Sequence, residues 1–134
     1  MTKTFNKLEE IEKYYDKESN TYIFKEYGMY INLVIFNFDL NVKSNIYAWN
    51  IYGRNINALN IYAKNIDVSY LDANDIKARD INAANINANN ISYYAVCYAY
   101  ENIKCKSIKG RKYNSKHFVL DGHIYIDGSI ETIK

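Results

Sequence analysis

The chain has no proline and only five glycines among its 134 residues. No stretch therefore reads as a flexible or polyproline linker, and the length suits one domain with one modest core. Cysteine is scarce: Cys97 and Cys105 lie in "AVCYAYENIKCK" without a CxxC pair, and the only histidines are His117 and His123. A four-ligand zinc site needs more than this at recognisable spacing, so no metal is expected. The two thiols read instead as small buried groups in a reducing compartment. No apolar run approaches the roughly 18 residues that signal a membrane span. The longest, "MYINLVIFNF", is broken by Asn32 and Asn37. The polar, acidic start "MTKTFNKLEEIEKYYDKESN" is unlike a secretory signal, and a cytoplasmic location is the expectation. GxSxG, a Gly-rich phosphate loop before a lysine, and HExxH are also missing. The expectation is a protein that is not an enzyme, with no catalytic residues and no cofactor.

Tyrosine is abundant, with 15 residues, alongside many Asn, Ile and Lys. An AT-rich coding bias and a selected tyrosine surface both account for that composition. Order along the chain is more informative. From Ile46 a branched apolar residue recurs at 51, 56, 61, 66, 71, 76, 81, 86, 91 and 96, with Leu71 and Val96 the two that are not Ile. The preceding residue is usually Asn or Asp, as at Asn45, Asn60, Asp75 and Asn90. Two residues after each Ile comes a small one, as at Ala48, Gly53, Ala58 and Ala73, with Val68 slightly larger.

A period of five fits neither regular element. On a helix the Ile residues would smear around the axis, and on a flat strand an odd period would send alternate Ile to opposite faces. Each repeat must therefore contain a turn. Ile and the small residue share the inner face of a short strand, and Asn or Asp takes the corner, where its side chain bonds nearby backbone. A turn of about a right angle per repeat would close a square coil every four repeats, so that residues about 20 apart stack at the β spacing of about 4.8 Å. The expected fold is thus mainly all-β, a β-solenoid of roughly three to four coils. Residues 1–31 are expected as an N-terminal helix and strand cap, 32–111 as the solenoid and 112–134 as a C-terminal β-hairpin cap. Leu8, Ile11 and Tyr15 suggest an amphipathic helix over residues 7–17. Asp121-Gly122 and Asp127-Gly128 signal the turns of a capping β-meander.

The run Asn45–Ala95 resembles the pentapeptide-repeat family, with its large apolar centre, preceding Asn or Asp, and one small residue in each five. The family places the small residue two before the large one; here it comes two after. The resemblance implies a right-handed quadrilateral β-helix. The segment "NISYYAVCYAYENIKCKSIKGRKYNSKHFVLDG" is similar to the C-terminal block of small Asn-Ile-rich repeat proteins of phages and prophages of low-GC Gram-positive bacteria. That likeness implies a phage protein acting in a host cytosol. Pentapeptide-repeat proteins include inhibitors of DNA-handling enzymes such as gyrase, and phage proteins of that shape include inhibitors of host defence of the anti-CRISPR kind. Charge mimicry of DNA is not expected here, because residues 45–95 carry four basic and four acidic side chains.

A solid solenoid offers a surface rather than a pocket. Tyr47, Trp49, Tyr52 and Tyr62 would gather on the first full coil and point outward, as candidate anchors for a protein partner. Stacking at 20 residues would align Tyr47 with Asp67 and Tyr52 with Asp72. Asp67, Asp72, Asp75 and Asp80 read as solvated outward or corner residues rather than paired catalytic carboxylates. Lys104, Lys106, Lys109, Arg111, Lys112 and Lys116 form a basic segment suited to phosphate or an acidic partner, with a plain solvated loop as the bland alternative. The leading expectation is a protein-binding module, an inhibitor of a host nucleic-acid-processing or defence complex. The alternative is a structural element that assembles through the solenoid or its caps, with a homodimer as its simplest form. Nucleic-acid binding through the basic segment is the weaker third reading.

Overall fold

In the computed structural model, which describes residues 2–131, the five-residue period becomes a five-residue pattern of burial. In most repeats the Ile is buried, the next residue faces solvent, the small residue is buried again, and the fourth faces out, with Tyr52, Tyr62, Ala63 and Ala84 among the half-buried exceptions. That is ordinary strand alternation. The fifth position, Asn or Asp, is half-buried at most repeats and sits where the chain turns. The molecule is a β-solenoid of about six turns.

The stacking interval differs from the expected one. Ile46 pairs with Ile61 and Ile61 with Ile76. Likewise Ile51 pairs with Ile66 and Ile66 with Ile81, while Ile56 pairs with Leu71. The interval is 15 residues, so three repeats and not four complete a turn, and the cross-section has three sides. A period of five sets the length of a side but leaves the corner angle free. With one Ile or Leu and one small residue from each side, the three sides close on an interior of buried apolar side chains. The shorter turn also raises the number of turns above the three to four expected.

We name the sides by an outward residue. The Tyr52 face stacks Leu33, Ile51, Ile66 and Ile81 inside. The Tyr47 face stacks Tyr22, Ile46, Ile61 and Ile76, with Ile91 over Ile108 further on. The Asn57 face stacks Leu40, Ile56 and Leu71, with Ile103 over Ile124 at its far end. The strand Tyr70–Cys105 is continuous because ladder bonds persist through its corners. Parallel pairing also reaches beyond residues 32–111 at both ends: Thr2–Thr4 joins Asn32–Ile35, Thr21–Ile23 joins Asn45–Tyr47, and Lys116–Val119 and Ile124–Ile126 continue the stack.

Corner side chains form columns of their own. Asn65 Nδ2 donates to Asn50 Oδ1 at 2.9 Å, and Asn50 Nδ2 donates to Asn32 Oδ1 at 2.7 Å. A second column runs from Asn45 through Asn60, Asp75 and Asn90 to Ser107. An amide carries both a donor and an acceptor, so it can bond up and down at once. This is why Asn outnumbers Asp at the corners.

Departures from the repeat have local causes. Tyr93 occupies a small-residue slot yet is buried, because Gly110 is its partner on the next turn and a Cβ there would meet the Tyr93 hydroxyl at 2.8 Å. One extra residue near Ala95 shifts the phase, so Cys97 rather than Val96 is fully inside. Both cysteines are free and buried at inward positions.

The N-terminal cap is a 3-10 helix, Leu8–Tyr14, rather than the expected longer amphipathic helix over 7–17. Three residues per turn set Leu8, Ile11 and Tyr14 in one row; Ile11 and Tyr14 are buried, while Leu8, at the start of the helix, and Tyr15 are exposed. Glu10 fixes its start by accepting from the backbone of Asn6 and Lys7 at 2.7 and 2.8 Å. Phe5, Tyr14 and Phe24 pack edge-on and tilted over the first turn, with centroids 5.1 to 5.9 Å apart.

At the other end Asp127-Gly128 makes the expected tight turn, with φ of 51° and 84°, between Ile124–Ile126 and the antiparallel Ser129–Glu131. Asp121-Gly122 does not make a hairpin, since the strands on either side both run parallel to Tyr70–Cys105. Gly122 serves a close approach instead: a Cβ there would run into the Glu101 carbonyl. The last residues of the expected cap, 132–134, lie outside the described ones.

Candidate functional site

The 15-residue turn decides which side chains become neighbours. On the Tyr47 face one outward column reads Tyr47, Tyr62, Lys77, because each of these pairs with the next. Beside it, at the end of the same sides, stand Trp49, Lys64, Arg79, Tyr94 and Arg111. Tyr30, from the hairpin Lys25–Glu26 with Met29–Tyr30, stacks on Tyr47 at 4.9 Å, and Tyr47 lies 5.7 Å from Tyr62. The Lys64 ammonium sits 5.0 Å from the centre of the Trp49 ring, and the Arg79 and Arg111 guanidiniums lie 5.5 and 5.8 Å from that of Tyr94. Such exposed cation–π contacts each contribute about 0.5–1 kcal/mol and hold the long basic side chains along the wall.

These residues, with Ala48, Ala63 and Ala78, line an open groove of about 650 Å³. Four cations line it, Lys64, Lys77, Arg79 and Arg111, and no carboxylate does. Arg111 is anchored as well, its Nη2 donating to the Ala78 carbonyl at 2.9 Å. Trp49 is 45% exposed and Tyr47 42%, so the aromatic end is open to a partner.

Of the four expected anchors, Tyr47, Trp49 and Tyr62 come together in this groove. Tyr52 does not. It pairs with Val34 and Asp67 on the next side of the solenoid, because one repeat further along the chain is one side further round. Tyr47 is stacked with Tyr62 rather than aligned with Asp67. The basic segment is also divided. Lys104 and Lys106 stand on the Asn57 side, Lys109 and Arg111 end the Tyr47 face, Lys112 lies in the loop after them, and Lys116 begins the last strand of the Tyr52 side, 5.3 Å from the Phe118 ring.

The four central aspartates do not converge. Asp67 and Asp72 are exposed on different sides, while Asp75 and Asp80 are corner residues that accept from Asn90 Nδ2 and from the Val96 amide. Among the described residues no group of three His, Cys, Asp or Glu side chains is placed to hold a metal ion. Lys64, Lys77, Arg79, Tyr30 and Tyr94 were missed as partners of the aromatic cluster. The signal was the spacing itself: Tyr47 and Tyr62, and Lys64 and Arg79, are each one 15-residue turn apart.

Two other polar constellations lie outside the groove. Tyr93 Oη and His117 Nδ1 are 2.8 Å apart, and His117 Nε2 lies 3.0 Å from Glu131 Oε2, tying the final strand to the stack. Burial raises the Tyr93 hydroxyl above its ordinary pKa. At the opposite end Lys3 Nζ meets Glu26 Oε2 at 2.9 Å, and the Tyr14 hydroxyl donates to the same oxygen at 2.9 Å. Lys3 first, then Tyr14, lowers the Glu26 carboxyl below its usual value. Among the described residues no helix is long and apolar enough to cross a membrane. Comparison with protein-family models, with curated proteins and with solved structures finds no match to the chain.

Proposed function

We propose that this solenoid is a non-enzymatic protein-binding module, and that its partner docks on the Tyr47 face. One observation carries the reading: Tyr47, Trp49 and Tyr62 sit together, exposed, in an open groove on a wall fixed by stacked Ile and Asn columns. Rigid aromatic anchors give up little conformational freedom on binding, and such residues dominate protein interfaces. The form of the function that we carry forward is inhibition of a nucleic-acid-processing or defence complex by a phage-encoded chain acting in the host cytosol. The free buried thiols Cys97 and Cys105 support a reducing compartment.

The test is capture from lysate with the wild-type chain and with Trp49→Ser/Tyr62→Ser. A protein retained by the first and released by the second supports the reading. Equal retention removes the Tyr47 face from it.

A second reading is favoured by a separate observation. Ser107–Gly110 and Leu40–Asn41 each pair with a single strand, and so present an open ladder edge. Open edges recruit further strands, so assembly with a second copy is the structural alternative. Sedimentation of the isolated chain decides it: a concentration-dependent dimer that survives the face substitutions belongs to the edges, not to the groove.

A further inference from the structure

We propose that the groove of the Tyr47 face is built for an acidic segment of a partner protein, one in which apolar side chains lead into a run of carboxylates. This rests on the docking reading above and specifies its ligand chemistry. The groove changes character along the solenoid axis. Its N-terminal end is richer in rings, with Tyr47, Trp49 and Tyr62 around Lys64, and its C-terminal end is richer in cations, with Lys77, Arg79 and Arg111 around Tyr94. No carboxylate lines it, and the nearest acid to these cations is Asp80, 4.0 Å from Arg79 Nε, at the outer limit of an ion pair. Neighbouring cations with so little counter-charge repel one another, and an arriving anion relieves that repulsion.

Nucleic acid is the competing polyanion, and two features disfavour it. First, each ring already has a neighbour against it, which leaves less free face for a base to stack on. Tyr30 stacks on Tyr47, Tyr47 lies against Tyr62, Lys64 covers Trp49, and two guanidiniums approach Tyr94. A single strand gains its affinity by stacking bases on free ring faces. Second, a phosphate backbone carries uniform charge and calls for cations along its whole track. The N-terminal half of this groove offers mainly exposed ring surface, with Lys64 its one cation, which suits an apolar side chain. An extended peptide lying along the axis meets both halves in order.

Trp49 is the only tryptophan and stands in the groove, so the intact chain reports binding directly. Three probes are titrated: a leucine-led oligoglutamate peptide, its glutamine counterpart, and oligothymidylate. The expected result is a blue shift of Trp49 emission with the glutamate peptide, at an affinity about ten-fold or more above either other probe and falling as salt is raised. Lys77→Glu/Arg79→Glu, with an unchanged circular dichroism spectrum, should lose about ten-fold or more of that affinity. Equal binding of the glutamine peptide would overturn the acidic segment while leaving the docking face in place. Oligothymidylate binding as tightly would give the face to nucleic acid. No response to the glutamate peptide would also overturn the proposal, and the capture experiment then judges the docking face separately.

Discussion

The inward isoleucines and the outward tyrosines do different work, and single substitutions separate them. Ile76 is buried between Ile61 and the next turn, so Ile76→Asn forfeits the roughly 1.5–3 kcal/mol of burying that side chain and adds the cost of an unpaired amide. Tyr62→Ser removes a half-exposed ring and should cost well under half as much by chemical denaturation. Similar losses at both positions would contradict the assigned faces. Glu26 supplies a pH signature. Its carboxyl is held below its ordinary 4.5 by Lys3 and Tyr14, so the folded state binds that proton more weakly than the unfolded state. The stabilisation is therefore complete above the ordinary value and fades as pH falls through the lowered one. Between about pH 5 and about pH 3 the melting temperature of the wild type should fall more than that of Glu26→Gln. The thiols behave in the opposite sense: burial raises both, Cys105 to about 11 and Cys97 further. At neutral pH neither forms a thiolate, so both should resist alkylation in the native chain and react once it is unfolded. Rapid native labelling would show that the C-terminal turns are open.

At the scale of the element, the unit is one side, and a turn is three of them. Excising Asn60–Asn74 joins Leu59 to Asp75 and leaves every later side on its own face. That 15-residue deletion should keep a β-type spectrum and one cooperative transition. Excising only Asn60–Lys64 moves every later side onto its neighbour's column and should abolish the cooperative transition. The inward residues were legible in the sequence because strand alternation and the Asn corner account for all five positions, from Ile46 through Ile91. The number of sides was not, since a period of five fixes the length of a side and leaves the angle at its corner open. The error propagated to the site: Tyr52 was grouped with Tyr47, and Lys77 and Arg79 were not. The ends were legible only in part. Asp127-Gly128 makes its turn, whereas Asp121-Gly122 answers a contact with Glu101 that lies far away along the chain. The 3-10 geometry at Leu8–Tyr14 goes with Ile11 and Tyr14 both being buried, Tyr14 against Phe5 and Phe24, partners that a local spacing does not reveal.

For the whole molecule, winding sorts charge that looks balanced along the chain. Residues 45–95 hold four basic and four acidic side chains, yet Lys64, Lys77 and Arg79 line the groove while the four aspartates stand on other sides or at corners. A solenoid thus acquires a cationic, aromatic wall without a matching net charge, and the functional reading depends on that sorting. The sorting depends in turn on the 15-residue turn. The most direct measurement is the electron paramagnetic resonance line shape of paired nitroxide labels, with the native cysteines shielded by burial. Labels at Tyr47→Cys and Tyr62→Cys would sit on adjacent rungs, about 4.8 Å apart in the backbone, and should show strong spin–spin broadening. Labels at Tyr47→Cys and Asp67→Cys would sit on different sides and should show little. Broadening of the Tyr47–Asp67 pair with sharp lines for Tyr47–Tyr62 would contradict the three-sided turn, and the aromatic and cationic groove with it.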